Sequence, residues 1–176
     1  MIRNLVIVAA TLAALGAIAF TNLAGAGDRQ GQGLLKTGSQ APNWTMEDAD
    51  GKRHSLSCYK GQVVVMDFWA TWFGPCIKAM PGLQRLHEKY GEQNVKVIGV
   101  NTAENEGADP AGFMKKKKYT YQLLLDSDNS VASTYQVRGI PAFYVVSGDG
   151  TIVYSAVGYS PDHEKEIEKV IKEEMA

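Results

Sequence analysis

The feature that most constrains the fold is a strand, turn and helix in the middle of the chain. Residues 62–70 read Gln-Val-Val-Val-Met-Asp-Phe-Trp-Ala, a β-branched and almost unbroken apolar run. Such a run is typical of a parallel strand that is covered on both faces. From Pro75 to Tyr90, apolar residues recur at three-residue spacing, and Gly91 follows as a stop signal. A buried strand leading directly into a helix predicts an α/β sheet.

The rest of the chain continues the alternation of strands and helices. The pattern predicts strands at 43–47, 53–56, 95–100, 121–125, 142–146 and 151–156, and helices over 109–118, 129–135 and from 160 to the C-terminus. Strands separated by helices and closed by an antiparallel hairpin predict a mixed central sheet with helices on both faces. With 176 residues, 45% of them hydrophobic, the chain can form one domain with a proper core.

Residues 1–26 are predicted to be a signal peptide or a signal anchor. Arg3 precedes an uncharged run from Leu5 to Phe20, and small residues offer a cleavage site after Ala26. This run is shorter than the ~20 residues that span a bilayer, so cleavage is favoured, although residues 21–26 could extend it into an anchor. Residues 27–40 are polar and Gly-rich, as expected of a linker, and 41–176 remain as the domain. Either alternative predicts a domain outside the cytoplasm, in the periplasm or on the outer face of the inner membrane.

Charge and composition exclude several classes of partner and cofactor. The net charge is −1, or −2 without a leader that contains only Arg3, so no nucleic acid is expected as a partner. Membrane contact is expected only through the N-terminal segment, if it stays uncleaved. His54, His87 and His163 are scattered, and no cysteine and histidine cluster resembles a metal site. No metal, nucleotide or flavin cofactor is predicted.

Two motifs about 65 residues apart resemble the thioredoxin superfamily. Residues 67–76, Asp-Phe-Trp-Ala-Thr-Trp-Phe-Gly-Pro-Cys, are similar to its strand, active-site turn and helix start. Residues 137–143, Val-Arg-Gly-Ile-Pro-Ala-Phe, are similar to its cis-proline loop. The leader, the N-terminal β-hairpin and an inserted helix-strand unit at 109–125 further resemble the extracytoplasmic TlpA-like branch. The resemblance implies a thioredoxin-like fold over residues 41–176.

The resemblance also implies an activity, for which this chain lacks one group. Members of the branch are thiol-disulfide oxidoreductases that reduce disulfides of apocytochrome c or of other exported proteins and peptides to thiols, and a membrane reductase can be a further partner. Their first cysteine, at a helix N-terminus, attacks a disulfide as the thiolate, and the second resolves the mixed disulfide. Here Cys76 holds the second position, whereas Phe73 holds the first. Because phenylalanine has no nucleophile, we expect dithiol catalysis to be abolished.

Two further positions concern the movement of protons. Asp67 is the only charge in the apolar run, and burial would raise its pKa. The resemblance places this carboxylate beneath Cys76, as a buried acid/base group. Ala79 stands where the branch commonly has a glutamate, so a second proton-handling group is missing.

An apolar aromatic surface is predicted beside the turn. An extended peptide could lie on it, and Pro141, if cis, would contribute backbone hydrogen-bonding groups. The residues expected to bind the substrate are Trp72, Gly74, Pro75, Ile140 and Pro141, beside Phe73. Trp69 and Trp72 are by default structural residues, and the alternative is that both add their rings to this surface.

Cys58 is not expected to replace the missing sulfur. A strand of about eight residues, at ~3.3 Å each, separates it from the turn by about 26 Å. A disulfide requires Cα atoms within about 7 Å. We therefore exclude a Cys58–Cys76 disulfide and expect Cys58 to be a half-buried turn residue, with an intermolecular disulfide as the alternative.

Three functional hypotheses remain open. The chain is an oxidoreductase that works at best through Cys76 alone, or a non-catalytic module that binds a peptide on the aromatic surface around Phe73 and Pro141. The third is that Phe73 was introduced into an ordinary reductase by engineering or by a sequence error. Binding that is independent of Cys76 would distinguish the second hypothesis from the first.

Overall fold

The computed structural model describes residues 33–176. These residues form an α/β domain with a mixed seven-stranded sheet, and the predicted fold class is confirmed. A short 3-10 helix, Leu56–Tyr59, follows the second strand. The elements in chain order are β1 Thr45–Glu47, β2 Arg53–Ser55, β3 Val63–Trp69, α1 Gly74–Tyr90, β4 Val95–Asn101, α2 Pro110–Lys117, β5 Gln122–Leu125, α3 Ser130–Thr134, β6 Ala142–Val146, β7 Ile152–Val157 and α4 His163–Glu174.

The strand order places β3 near the centre of the sheet. The order is β2-β1-β5-β4-β3-β6-β7. Strands β3, β4 and β5 are parallel to one another, β6 pairs antiparallel with β3, and β7 pairs antiparallel with β6. The predicted N-terminal hairpin is β1–β2, and it joins the sheet through β5. The predicted inserted unit is α2 and β5, which therefore connects that hairpin to the rest of the sheet.

The position of β3 in the sheet explains why its sequence is almost entirely apolar. All seven of its residues are buried. The even-numbered side chains from Val64 to Phe68 pack in a core layer with α3 and the 3-10 helix. The odd-numbered apolar side chains from Val63 to Trp69 pack in the opposite layer, with α1, α2 and α4. Helices therefore cover both faces, as predicted.

Helix α1 begins directly after the turn that carries the motif. Its N-cap residue is Phe73, which has extended backbone dihedrals and makes no side-chain cap. Pro75 lies in the first turn, where a missing N–H is tolerated. At the other end, the Gly91 amide donates to the His87 carbonyl at 2.8 Å, so the helix ends where the sequence predicts.

The last part of the predicted linker contacts the sheet. The Leu35 amide donates to the Tyr144 hydroxyl at 2.9 Å, and the Gly38 amide donates to the Ile152 carbonyl at 2.8 Å. Residues from Gly33 on therefore pack against the domain, while its boundary at residue 41 stays a prediction. The predicted leader at 1–26 and residues 27–32 lie outside the described residues. Within residues 33–176, no helix is both long and apolar enough to cross a bilayer.

Candidate functional site

The loop after β4 holds the turn between β3 and α1 in place. Glu104 accepts hydrogen bonds from the Thr71 amide at 2.7 Å and the Thr71 hydroxyl at 2.9 Å. The Trp72 indole Nε1–H donates to the Ala103 carbonyl at 2.9 Å. Both residues that precede Phe73 are therefore attached to the same loop. Sequence reasoning missed Glu104, because no motif or periodicity distinguishes it from other polar loop residues.

Phe73, which the resemblance places at the position of the first cysteine, lies at the edge of the core. Its ring is half-buried and meets the Trp72 ring edge-on, with 5.4 Å between centroids. It also packs against the core layer that contains Cys76. The Cys76 amide donates to the Phe73 carbonyl at 3.0 Å. The phenyl ring and the Cys76 thiol thus belong to one continuous apolar region.

Cys76 has no exposed surface, with a relative accessibility of 0%. Burial raises the pKa of its thiol to about 12, a rise that the Asp67 charge reinforces and a hydrogen bond from Ala70 opposes. The thiolate, which is the reactive form of cysteine, is therefore strongly disfavoured. A thiol must be both accessible and ionised to react, and the Cys76 thiol is neither.

Asp67 is fully buried on the Cys76 side of the sheet. Neither carboxylate oxygen has a hydrogen-bond partner among the described residues. Burial raises the pKa of this carboxyl well above its ordinary value, because the charged form is not solvated. The expected burial of Asp67 is thus observed, while its acid/base role stays a prediction.

The loop before β6 forms the second side of the site. The Ile140–Pro141 peptide bond is cis, as anticipated. Pro141 is buried, and its carbonyl accepts a hydrogen bond from the Gly158 amide at 2.7 Å. Proline has no N–H, and its carbonyl already accepts one hydrogen bond, so the backbone contribution of Pro141 to peptide binding stays a prediction. Half-buried Ile140 is the residue of this pair that lines the adjacent groove.

A groove of about 560 Å³ lies between the turn and this loop. Its apolar lining includes Trp72, Phe73, Val137 and Ile140, and its polar lining includes Thr102, Asn129 and Arg138. Trp72 is 51% exposed, so it presents most of an aromatic face. Of the predicted surface, Trp72, Phe73 and Ile140 line this groove, whereas Gly74, Pro75 and Pro141 are not among its lining residues. Sequence reasoning missed Thr102 and Asn129, which carry no motif, and it gave Arg138 no role although Arg138 lies in the cis-proline motif.

Trp69 is a structural residue of the core, which is its default interpretation, and does not add to the surface. Trp69 is completely buried, and its ring lies 5.7 Å from the ring of Phe113 in α2. It belongs to β3, where side chains of odd number point into the α1 layer of the core. Gly74, by contrast, is exposed and Pro75 is half-buried at the start of α1.

The two cysteines are both free. This agrees with the exclusion of a Cys58–Cys76 disulfide. The expectation that Cys58 is half-buried is wrong, because it is exposed in the 3-10 helix. Its sulfur lies 3.2 Å from the Ser55 hydroxyl, and this hydrogen bond lowers the pKa of the Cys58 thiol.

A mixed sheet with a turn and helix at the end of its central strand, facing a cis-proline loop, defines a protein of the thioredoxin-fold redox class. The chain belongs to the AhpC/TSA family, whose sequence profile matches residues 37–155. It is 34% identical over 128 residues to the thiol-disulfide oxidoreductase ResA of Bacillus subtilis, which covers 73% of this chain and 71% of that protein. The predicted relation to extracytoplasmic-type thiol-disulfide oxidoreductases is thus confirmed at the level of family.

Solved structures agree with this assignment. A protein assigned as the thiol:disulfide interchange protein DsbE from Chlorobium tepidum is 27% identical, with a TM-score of 0.74 over 81% of this chain and 99% of that one. The exposed lipoprotein thioredoxin Etrx1 from Streptococcus pneumoniae is also 27% identical, with a TM-score of 0.65 over 75% of this chain and 99% of that one.

Proposed function

We propose that this chain is a thiol-disulfide oxidoreductase homologue outside the cytoplasm, whose dithiol catalysis is abolished and whose groove binds an extended segment of an exported protein. The observation that carries this proposal is the pair of residues at the motif. Phe73 stands in place of the nucleophile, and Cys76 behind it is completely buried. The chain thus has one inaccessible sulfur in a reaction that needs two.

The chemistry of disulfide reduction supports the loss of turnover. Reducing one disulfide takes two electrons, which a dithiol supplies by becoming a disulfide itself. A single thiol can form a mixed disulfide with the substrate, but it has no neighbour to resolve it. With a pKa of about 12, the Cys76 thiol is ionised in only about one molecule in 10⁵ at pH 7.

The groove supports a retained binding function. Exposed Trp72 and half-buried Phe73 form an aromatic wall that needs no sulfur in its ligand. Arg138 adds an exposed cation to an otherwise neutral lining. Tryptophan and arginine are enriched among the residues that dominate binding energy at protein interfaces. The preferred ligand is an extended segment with an apolar side chain for the aromatic wall.

The location outside the cytoplasm rests on the N-terminal sequence and on one relative. Residues 1–26 have the features of a leader, and they also supply the membrane anchor if they stay uncleaved. The structurally similar protein from Streptococcus pneumoniae is described as an exposed lipoprotein. Exported proteins of the kind that the family reduces, apocytochrome c among them, are therefore the proposed partners, with a membrane reductase as a further one.

The first test is disulfide reduction by the chain beside its Phe73→Cys variant, with a model protein disulfide and dithiothreitol as the electron source. We expect turnover only in the variant. Phe73→Ser, which removes the ring without adding a thiol, is the matched control and should stay inactive. Turnover by the unchanged chain that disappears in Cys76→Ser would overturn the proposal in favour of a monothiol mechanism.

The second test measures binding directly. The probes are ten-residue cysteine-free peptides with one central phenylalanine, titrated into the chain and followed by calorimetry. We expect binding that Cys76→Ser leaves unchanged and Trp72→Ala weakens. Binding that requires Cys76, or no binding at all, would contradict the proposed role of the groove. Either result would favour the hypothesis that Phe73 was introduced into an ordinary reductase.

A further inference from the structure

Trp72 is exposed but not free to move. Its indole Nε1–H donates to the Ala103 carbonyl at 2.9 Å, and its ring meets Phe73 edge-on. An exposed tryptophan without such contacts would sample several rotamers. Here the position of the ring depends on the position of one backbone carbonyl, in the loop that follows β4.

That carbonyl belongs to a residue in an unusual conformation. Ala103 has a φ of +49°, in the left-handed region that residues with a Cβ disfavour. Such a conformation persists only where the surroundings hold it. The side chain of Asn129 does so, because its Oδ1 accepts from the Ala103 amide at 2.6 Å and from the Thr102 hydroxyl at 2.8 Å.

Asn129 is available for this contact because its own helix does not use it. It is the N-cap residue of α3, yet its side chain makes no cap hydrogen bond. Asp126 caps the helix instead, accepting from the Val131 amide at 3.0 Å and the Ala132 amide at 2.8 Å. Asn129 has a φ of +58°, a conformation that asparagine tolerates better than most residues.

We propose that Asn129 is a positioning residue for Trp72, and that through the Thr102–Ala103 backbone it holds the indole ready for the ligand of the groove. Asn129 also lines the groove, together with the cis-proline loop residue Ile140. The part that concerns the ligand rests on the proposed peptide binding, whereas the part that concerns Trp72 does not. A side chain fixed before binding loses less conformational entropy when the ligand arrives.

Three variants distinguish the effect of the Asn129 side chain from the effect of its backbone conformation. Asn129→Gly keeps access to positive φ and removes both hydrogen bonds, whereas Asn129→Asp keeps an acceptor oxygen for both donors. Ser127→Gly places a glycine at an exposed position of the same loop and serves as the matched control. None of these residues contributes to the sulfur chemistry of the motif.

The primary measurement is hydrogen exchange at the three indole Nε1–H groups, followed by ¹⁵N NMR of the full chain. In Asn129→Gly we expect exchange at Trp72 to rise about tenfold, as for the loss of one hydrogen bond. Trp44 and Trp69, both buried, should be unchanged. Asn129→Asp and Ser127→Gly should resemble the unchanged chain.

The second measurement is the affinity for the cysteine-free phenylalanine peptide, which should fall about three- to tenfold in Asn129→Gly. Unchanged exchange at Trp72 in this variant would overturn the proposal, and so would a general rise at all three indoles, which would show a merely structural role. A change in exchange without a change in affinity would overturn the role in binding. If no peptide binds the unchanged chain, peptide binding fails, and the exchange data still decide whether Asn129 positions Trp72.

Discussion

The burial of Cys76 predicts a large difference in reactivity between the two cysteines. The perturbation is alkylation with iodoacetamide under native conditions at pH 8. Cys58 is exposed, and its hydrogen bond with Ser55 lowers the pKa of its thiol. Cys76 has no accessible surface, and burial raises the pKa of its thiol from 9.0 to about 12. Only the thiolate is nucleophilic, so alkylation should modify Cys58 almost exclusively.

The expected ratio of rates follows from the pKa of Cys76. Each unit of pKa above the working pH lowers the thiolate population tenfold. With a pKa of about 12, Cys76 holds about 10³-fold less thiolate than a thiol with the ordinary pKa of 9.0. The higher intrinsic nucleophilicity of the more basic thiolate offsets about 15- to 30-fold of this difference, and the lack of accessible surface slows the reaction further. We expect a ratio of at least about 10² between the two rates.

The assay is mass spectrometry of peptides from aliquots quenched over time. Cys58→Ser and Cys76→Ser variants identify each site, and guanidinium chloride shows that both thiols react in the unfolded chain. Slow labelling of Cys76 that follows the denaturant concentration would reflect unfolding and agrees with the prediction. Alkylation of Cys76 within tenfold of the Cys58 rate in native buffer would refute both its burial and the loss of its thiolate.

Three further predictions concern stability. Burial raises the pKa of Asp67 in the folded state, so its contribution to the free energy of unfolding should be fully present below the unfolded pKa of 3.8 and be lost as pH rises through the folded pKa. Asp67→Asn should abolish this decline in urea unfolding, and an unchanged slope would show that the carboxyl is solvated. Glu104→Ala should lower the free energy of unfolding by about 2 kcal/mol, because the Thr71 amide and hydroxyl lose their acceptor, and Glu104→Gln should lower it by less. If both variants are as stable as the parent in urea unfolding, this role of Glu104 is contradicted. Gly99→Ala should lower the free energy of unfolding by about 1–3 kcal/mol, because the new Cβ would lie 2.9 Å and 3.0 Å from atoms of two buried rings. Gly74→Ala is the control, because a Cβ there meets no atom within 4 Å. If Gly99→Ala unfolds at the same temperature as the parent, the predicted clash is refuted.

Most of the sheet could be predicted because its strongest patterns are local. The apolar run of β3 is buried on both faces and is read correctly as a central strand. The three-residue spacing in α1 and the glycine behind it locate that helix to within one residue of its start. The resemblance of residues 137–143 to the cis-proline loop of the superfamily locates that loop, where the cis bond is found.

The polar framework of the site could not be predicted, because it depends on contacts between distant loops. Glu104 reaches Thr71 across 33 residues, and Asn129 reaches Ala103 across 26. No local pattern distinguishes these two side chains from other polar loop residues. The sequence left two interpretations of Trp69 for a related reason: an apolar aromatic near a motif is consistent with a surface and with a core, and only the direction of β3 decides between them.

The two departures from the family pattern bear on whether Phe73 arose as a single introduced change. Such a change accounts for Phe73 but leaves Ala79 unexplained, although both remove a group that the resemblance assigns to the same chemistry. In residues 74–80 the only titratable side chains are Cys76 and Lys78, so Asp67 is the one carboxylate that the motif still associates with the thiol. Phe73 packs against the core layer and Trp72 as an ordinary apolar side chain. The proposed binding role accounts for both positions, because a site without the nucleophile and the proton-handling group that the resemblance implies, but with a fixed aromatic wall, would hold a protein segment rather than reduce one.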